Sequence, residues 1–304
     1  MPDIANVTVV CFLASYIVAL IAEFFRLNNP KAWLRWLVLF FSLAGFLAHT
    51  VYLIVRSRVH GLPPLVGSSH DWSLVLSWLC VLYYLARTLR DQKLALGVFL
   101  FPIVILLTLS AYFVSTDSSE LVQEKGDRGW ALLHAAFLVL GIAGVLLSFI
   151  TSMMYLFQHH RLKNKQAIPV GLRLPNLEKL AKINWWAVIV SVPLLTLGLI
   201  SGFGLALHLK KTSEAHELSF GDPVILTSAF LWIVMAVVFV FLLVKPRTKS
   251  RQVAWMTLWV AGFLVLTLVG LQILLGGRGE LIDTWHSGID PHSTPLSLTE
   301  GAVG

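Results

Sequence analysis

The sequence predicts an all-α fold, a polytopic bundle of about eight transmembrane helices with both termini on the outer side. Three observations predict it. Hydrophobic residues make up 57% of the 304 and charged residues only 13%, with a mean hydropathy of +0.79, far more apolar than a water-soluble domain. Apolar runs recur at roughly 5–25, 33–55, 72–89, 94–114, 130–157, 183–208, 223–244 and 253–275, each near the length a helix needs to cross hydrocarbon. The connecting segments alternate in charge.

The first run begins after Asp3 without a basic leader, so it reads as a retained anchor rather than a cleaved signal. Glu23, near its end, stands three residues before Arg26, the spacing of a helical ion pair. The second run carries His49 in its outer half and leads to Arg56 and Arg58. The third and fourth follow as a pair around the basic loop with Arg87, Arg90 and Lys93.

The fifth run, from Trp130 to Phe157, contains no charged residue and exceeds the about 20 residues of a spanning helix. Within it Gly141, Ser148, Ser152 and Tyr155 follow His134 at steps of seven, seven, four and three, which puts all five on one helical face. Small residues there let another helix approach closely. In the sixth run Pro193 precedes LLTLGLISGFG (194–204), the composition of a helix that bends and packs tightly. Asp222 and Pro223 cap and start the seventh. Residues 1–276 thus form one transmembrane domain. The segment 277–304, rich in Gly, Pro and Ser, is a polar outer extension ending in a flexible tail.

The loop charges orient the bundle. Sixteen of the 23 basic residues lie in alternate loops, around Arg26–Arg35, Arg87–Lys93, Arg161–Lys182 and Lys245–Arg251, while the other loops hold most of the acids. By the positive-inside rule the basic loops are cytoplasmic. The formal charge of +7 therefore needs no nucleic acid to explain it. Several of the 11 tryptophans, among them Trp33, Trp36, Trp72, Trp130, Trp185 and Trp186, stand near run ends, as aromatic belts do. The localisation implied is a cell membrane of the cytoplasmic or inner type, crossed several times.

Reactive chemistry is sparse. Cys11 and Cys80 lie in apolar runs and form no Cys-x-x-Cys pair, which excludes a thiol oxidoreductase motif and a covalent c-type haem carrier. No nucleophile motif, phosphate-binding glycine loop or intramembrane carboxylate pair is present, so the chain reads as a non-enzyme. The histidines are one-sided: His60, His70, His216, His286 and His292 fall in outer segments, His49, His134 and His208 in outer halves of helices, and His159 and His160 beside cytoplasmic Arg161 and Lys163. An ionisable ring at membrane depth needs a partner, a cavity or the surface. His134 is accordingly either a functional group or a hydrated interfacial residue, and His49 either a ligand or a buried ring bonded to a neighbouring helix.

Four blocks resemble the cytochrome c assembly protein family, the haem-handling membrane proteins of the CcsA and HemX type. They are LAGFLAHTVYLIVRSRVHGLPPLVGSSHDWSLVLSWL (43–79), His134 with MMYLFQHHRLKNK (153–165), LPNLEKLAKINWWAVIVSVPLLTLGLISGFG (174–204) and GLQILLGGRGELIDTWHS (270–287), so the likeness spans 43–287. The third block is the most specific. Family members that deliver haem carry a tryptophan-rich outer segment before the seventh helix; here that interval reads ALHLKKTSEAHELSFGDPVIL, keeping only Asp222-Pro223, which makes the chain similar to the HemX-like branch.

The resemblance implies non-covalent haem b, with His134 and His286 as axial ligands of the iron on the outer face. It implies His49 as a deeper haem-binding residue; His208 and His216 match nothing in the family but sit where the missing tryptophan segment would be, which makes them alternative ligands. Arg56 and Arg58 stand where haem propionates would need cations. The partners implied are haem, the cytochrome c maturation subunits or apocytochrome, and the lipid bilayer. The function implied is assistance to cytochrome c biogenesis or haem handling. Regulation of tetrapyrrole synthesis through the basic loop after the fifth helix is the alternative, and small-molecule transport past His49 and Pro193 a further one, weakened by the lack of an inverted repeat.

Overall fold

A computed structural model describes residues 8–29, 31–60, 63–91, 94–112, 128–165, 174–212, 223–244 and 250–276. Their regular structure is helical: α1 (Val9–Asn28), α2 (Ala32–His60), α3 (Pro64–Gly67), α4 (Ser69–Arg90), α5 (Gly97–Tyr112), α6 (Arg128–Lys163), α7 (Leu177–Thr212), α8 (Pro223–Val244) and α9 (Ser250–Gly276). Setting aside the single turn α3, eight helices coincide with the eight apolar runs. In hydrocarbon a helix is the one open-chain form that satisfies its own backbone, which is why apolarity alone dictates it. Five stretches, Val9–Asn28, Ala32–Val59, His70–Arg90, Gly129–Lys163 and Leu177–Leu205, are long and apolar enough to cross a membrane; Gly97–Tyr112, Trp232–Leu242 and Ser250–Leu266 are apolar but shorter.

Two helices overrun their apolar cores. The fifth run, 130–157, becomes a 36-residue helix extending to Lys163, and the sixth begins at Leu177, six residues before its apolar stretch. His160, Arg161 and Lys163 close α6, where cations face the negative end of the helix dipole. Pro193 lies inside α7 without ending it. At α4 the Ser68 side chain accepts from the Asp71 backbone N–H at 3.3 Å, and Asp71 adds an acid to the first turn.

Successive helices run antiparallel, as side-chain contacts at their ends show. Arg26 near the end of α1 donates to the Leu94 carbonyl just before α5 (3.0 Å), whereas Phe12 near the start of α1 stacks on His49 in the second half of α2. His70 at the start of α4 meets Ala111 at the end of α5, and Trp130 at the start of α6 meets Ser201 late in α7. Ser152, in the second half of α6, bonds Thr257 early in α9. The ends of α2, α5, α7 and α9 therefore share a side with the start of α6, the side that the loop charges place outside.

The core falls in two clusters. One gathers Phe12, Tyr16, Leu74, Tyr84, Leu100 and Phe101 of α1, α4 and α5 with residues of α2 and α6, and is joined by Leu180 of α7 and Ala254 and Val265 of α9. The other joins Val188 and Val192 of α7 with Met235 and Val238 of α8 and Ala261 and Leu264 of α9. Helix α6 belongs to both, with Leu146 and Met154 in the first and Val145 in the second, and its Ile142 and Phe149 pack against each. Outside, Trp33, Trp36, Trp186 and Trp259 are each more than half exposed, the surface a bilayer covers.

Several polar residues inside the bundle are paired with one another. Glu23 and Arg26, both buried, form a two-pronged ion pair at 2.7 and 2.8 Å, the pairing their spacing predicts. Between α6, α7 and α9, Ser148 donates to Asn184 Oδ1 (2.9 Å), Asn184 donates to Thr257 Oγ1 (3.1 Å), and Ser152 lies 2.6 Å from that hydroxyl. The face that begins at His134 is thus turned inward, onto α7 and then α9.

Candidate functional site

His134 sits less than two turns into α6, half-buried against α7. Close approach there depends on glycine. A Cβ added at Gly198 would meet Leu138 Cδ2 at 2.6 Å, one at Gly202 would meet His134 Cε1 at 2.5 Å, and one at Gly204 would meet Trp130 Cζ2 at 2.8 Å. This is the physical content of the small-residue stretch 194–204. In the resulting seam His134 Nδ1 lies 2.8 Å from the Gly198 carbonyl oxygen and 3.3 Å from Ser201 Oγ. Trp130 Nε1 donates to the Ser201 carbonyl at 2.7 Å. A carbonyl only accepts, so Nδ1 carries the hydrogen, and Nε2 is the lone-pair nitrogen of the neutral ring. That tautomer is the one a metal takes, with the other ring nitrogen held by a backbone carbonyl.

His49 is fully buried between α1 and α2. Phe12 stacks on its imidazole with ring centroids 4.2 Å apart and planes 3° from parallel, and Tyr16 Oη lies 3.2 Å from Nδ1. Nε2 has no hydrogen-bond partner among the described residues. Both readings of this histidine therefore touch the structure: it is bonded to a neighbouring helix, and one of its nitrogens is still unsatisfied.

His70 departs from its expected place. It lies not in an outer segment but in the first turn of α4, 3% exposed. Its Nδ1 donates to the Ala111 carbonyl (2.7 Å) and its Nε2 pairs with Tyr52 Oη (3.1 Å). Beside it Arg56 forms an ion pair with buried Asp71, so a propionate at Arg56 would have to share the guanidinium with a carboxylate. Sequence reasoning missed this cluster because the third apolar run opens only at Trp72; the available signal was an adjacent His70-Asp71 pair opposite Tyr52 and Arg56, one helical turn apart.

His286, expected as the second outer ligand, lies outside the described residues, as do His216 and His292. His208 belongs to α7. Helix α9 brings the chain to Gly276, ten residues before His286, on the same side as the start of α6. No group of three or more His, Cys, Asp or Glu that could hold a metal ion occurs among the described residues; a ligand set of two histidines falls below that number.

An antiparallel bundle of long apolar helices, with polar groups such as Glu23, Arg26 and Asn184 paired inside it, defines a multi-pass membrane protein. The comparison with known families is more particular. A family model described as Cytochrome C assembly protein matches residues 64–277, from α3 to the end of α9 and more than two thirds of the chain. The chain belongs to the cytochrome c assembly protein family. Protein HemX of Bacillus subtilis (strain 168) is 34% identical over 85 residues, 28% of this chain and 29% of that protein; the chain thus spans under a third of this relative's length. No solved structure matches.

Proposed function

We propose that this member of the family binds haem b non-covalently at the outer end of the bundle, with His134 and His286 as axial ligands and His49 as a deeper one. It assists cytochrome c biogenesis as a carrier or chaperone rather than as an enzyme, in the cytoplasmic membrane. The observation that carries the reading is the Gly198 carbonyl at 2.8 Å from His134 Nδ1, because it fixes the ligating tautomer before any iron arrives. The residues fit the group: a neutral imidazole, half-buried in an apolar seam, offers iron a nitrogen donor without a charge to desolvate. His49, with an unsatisfied buried nitrogen, fits as well. Haem, when bound, supplies a redox-active iron with two axial positions.

The chain's own residues do the rest. Gly198 and Ser201 hold the His134 ring, Gly202 leaves it room, and Trp130 ties α6 to α7 above it. The partners proposed are haem and the subunits or apocytochrome that receive it. The protein purified in detergent should show a Soret band that the His134→Ala, His286→Ala double variant loses in part or whole. A colourless protein that cannot be reconstituted with haem refutes the proposal. One feature favours a second reading, a regulator of tetrapyrrole synthesis: the interval 205–225 lacks the tryptophans of haem-delivering members. Deleting the gene distinguishes the two, since loss of c-type cytochromes follows from the first and raised tetrapyrrole levels from the second.

A further inference from the structure

Helices α1 and α2 precede the residues matched to the family, yet they build the most enclosed histidine whose side chain is described. His49 is 0% exposed, and so are Phe12 and Tyr16 of α1. The two aromatic side chains restrain the imidazole in complementary ways. Phe12, flat against it at 4.2 Å, sets the plane of the ring. Tyr16 Oη, 3.2 Å from Nδ1, sets which edge of the ring faces α1. The remaining polar atom, Nε2, has no hydrogen-bond partner among the described residues. A buried polar atom of this kind is rare in folded proteins and marks a group that something else completes.

Room for this arrangement is written into α2. Gly45 lies one turn before His49, and a Cβ added there would stand 2.8 Å from Tyr16 Cε1 and 3.1 Å from Ser15 Cβ. Any larger residue would push the phenol away from the imidazole. A phenol hydroxyl both donates and accepts, so Tyr16 satisfies Nδ1 whichever nitrogen of the ring carries the hydrogen. Iron binding at Nε2 requires the hydrogen on Nδ1, and in this apolar surrounding the Tyr16 oxygen is its acceptor.

We propose that Tyr16, supported by Phe12 and seated by Gly45, is the positioning residue for His49: it holds the imidazole in the tautomer and orientation in which Nε2 ligates haem iron inside the membrane. The inference rests on the haem-binding reading given above. It adds that the first helix completes the intramembrane site.

The test uses the full-length protein in detergent, in a His134→Ala, His286→Ala background so that haem held at His49 is observed separately. Haem titration followed at the Soret band should show Tyr16→Phe weakening binding about tenfold to a hundredfold, the usual consequence of removing a partner behind a ligating histidine, and Gly45→Ala weakening it in the same direction. The spin state of the bound iron, read by electron paramagnetic resonance, should become mixed in Tyr16→Phe. In His49→Gly protein, added imidazole should restore the spectrum, and should do so less well when Tyr16→Phe is also present, a difference that a merely structural tyrosine would not produce. Haem absent from the parent protein overturns the haem-binding reading and this inference with it. Haem present but unchanged in His49→Gly removes His49 as a ligand and overturns the inference alone. Haem lost in His49→Gly but bound equally by Tyr16→Phe and the parent leaves the ligand and overturns the role of Tyr16.

Discussion

Replacing Gly202 with alanine probes the seam that holds His134 with a single methyl group. The added Cβ would stand 2.5 Å from His134 Cε1 and 2.9 Å from Nδ1, about 1 Å closer than carbon atoms normally rest. The imidazole must swing away and give up its 2.8 Å bond to the Gly198 carbonyl. Overpacking of this kind costs about 1–3 kcal/mol and a lost hydrogen bond about 0.5–1.5 kcal/mol. Against this, alanine in place of glycine gains about 1 kcal/mol of helix propensity. The expected net loss is about 1–3 kcal/mol. Gly129, on α6 just before Trp130, provides the matched control, because a Cβ there meets nothing within 4 Å and Gly129→Ala should be neutral or stabilising. Thermal unfolding in detergent, followed by the helical circular dichroism signal, measures both, and haem titration should show weaker binding for Gly202→Ala alone. If Gly202→Ala unfolds at or above the parent temperature and binds haem equally well, the close packing of His134 on α7 is refuted.

Two further substitutions test the interior. Asn184→Ala removes the acceptor of Ser148 and the donor to Thr257; at about 0.6 kcal/mol for an average interhelical bond in a membrane, the loss should be about 1 kcal/mol, seen as a lower unfolding temperature, with Asn184→Asp failing to restore it. Arg26→Ala leaves Glu23 buried at 0% exposure without its cation and should cost about 3–5 kcal/mol, read as poor accumulation in the membrane. The double variant Glu23→Gln, Arg26→Met should recover most of that loss, because the penalty belongs to the stranded charge rather than to the missing pair.

The bundle was legible in the sequence because hydrocarbon imposes one rule on every span: apolar side chains outside and a self-satisfied backbone within. That rule located eight helices and, with the loop charges, their alternation. It says little about where a helix stops once it leaves the apolar region, so α6 and α7 run past the expected limits into polar residues. The inward face of α6 was also legible, since Gly141, Ser148 and Ser152 recur at helical spacing and meet Leu195, Asn184 and Thr257.

The site was legible only as a set of histidines. What holds each ring comes from residues far along the chain, 64 away for His134 and Gly198, 33 for His49 and Tyr16, and 41 for His70 and Ala111. A backbone carbonyl has no sequence signature at all. The small residues of 194–204 predicted tight packing, yet only the folded seam shows that Gly198 supplies the acceptor and Gly202 the space. His70 was misplaced because hydropathy marks the apolar body of a helix and overlooks a polar first turn.

Because Ile142 and Phe149 of α6 press on both core clusters, the bundle has an axle. The α1–α5 half meets α7 and α8 mainly through that helix and through α9, whose Ala254 and Val265 reach the first cluster, so rocking of the two halves would turn about this pair, and the His134 imidazole rides near the outer tip of α6. Pressure-sensitive or suppressor changes should then gather along α6 and α9: a substitution that tightens one half would tilt the ring at the other, and a compensating change across the axle would set it upright again.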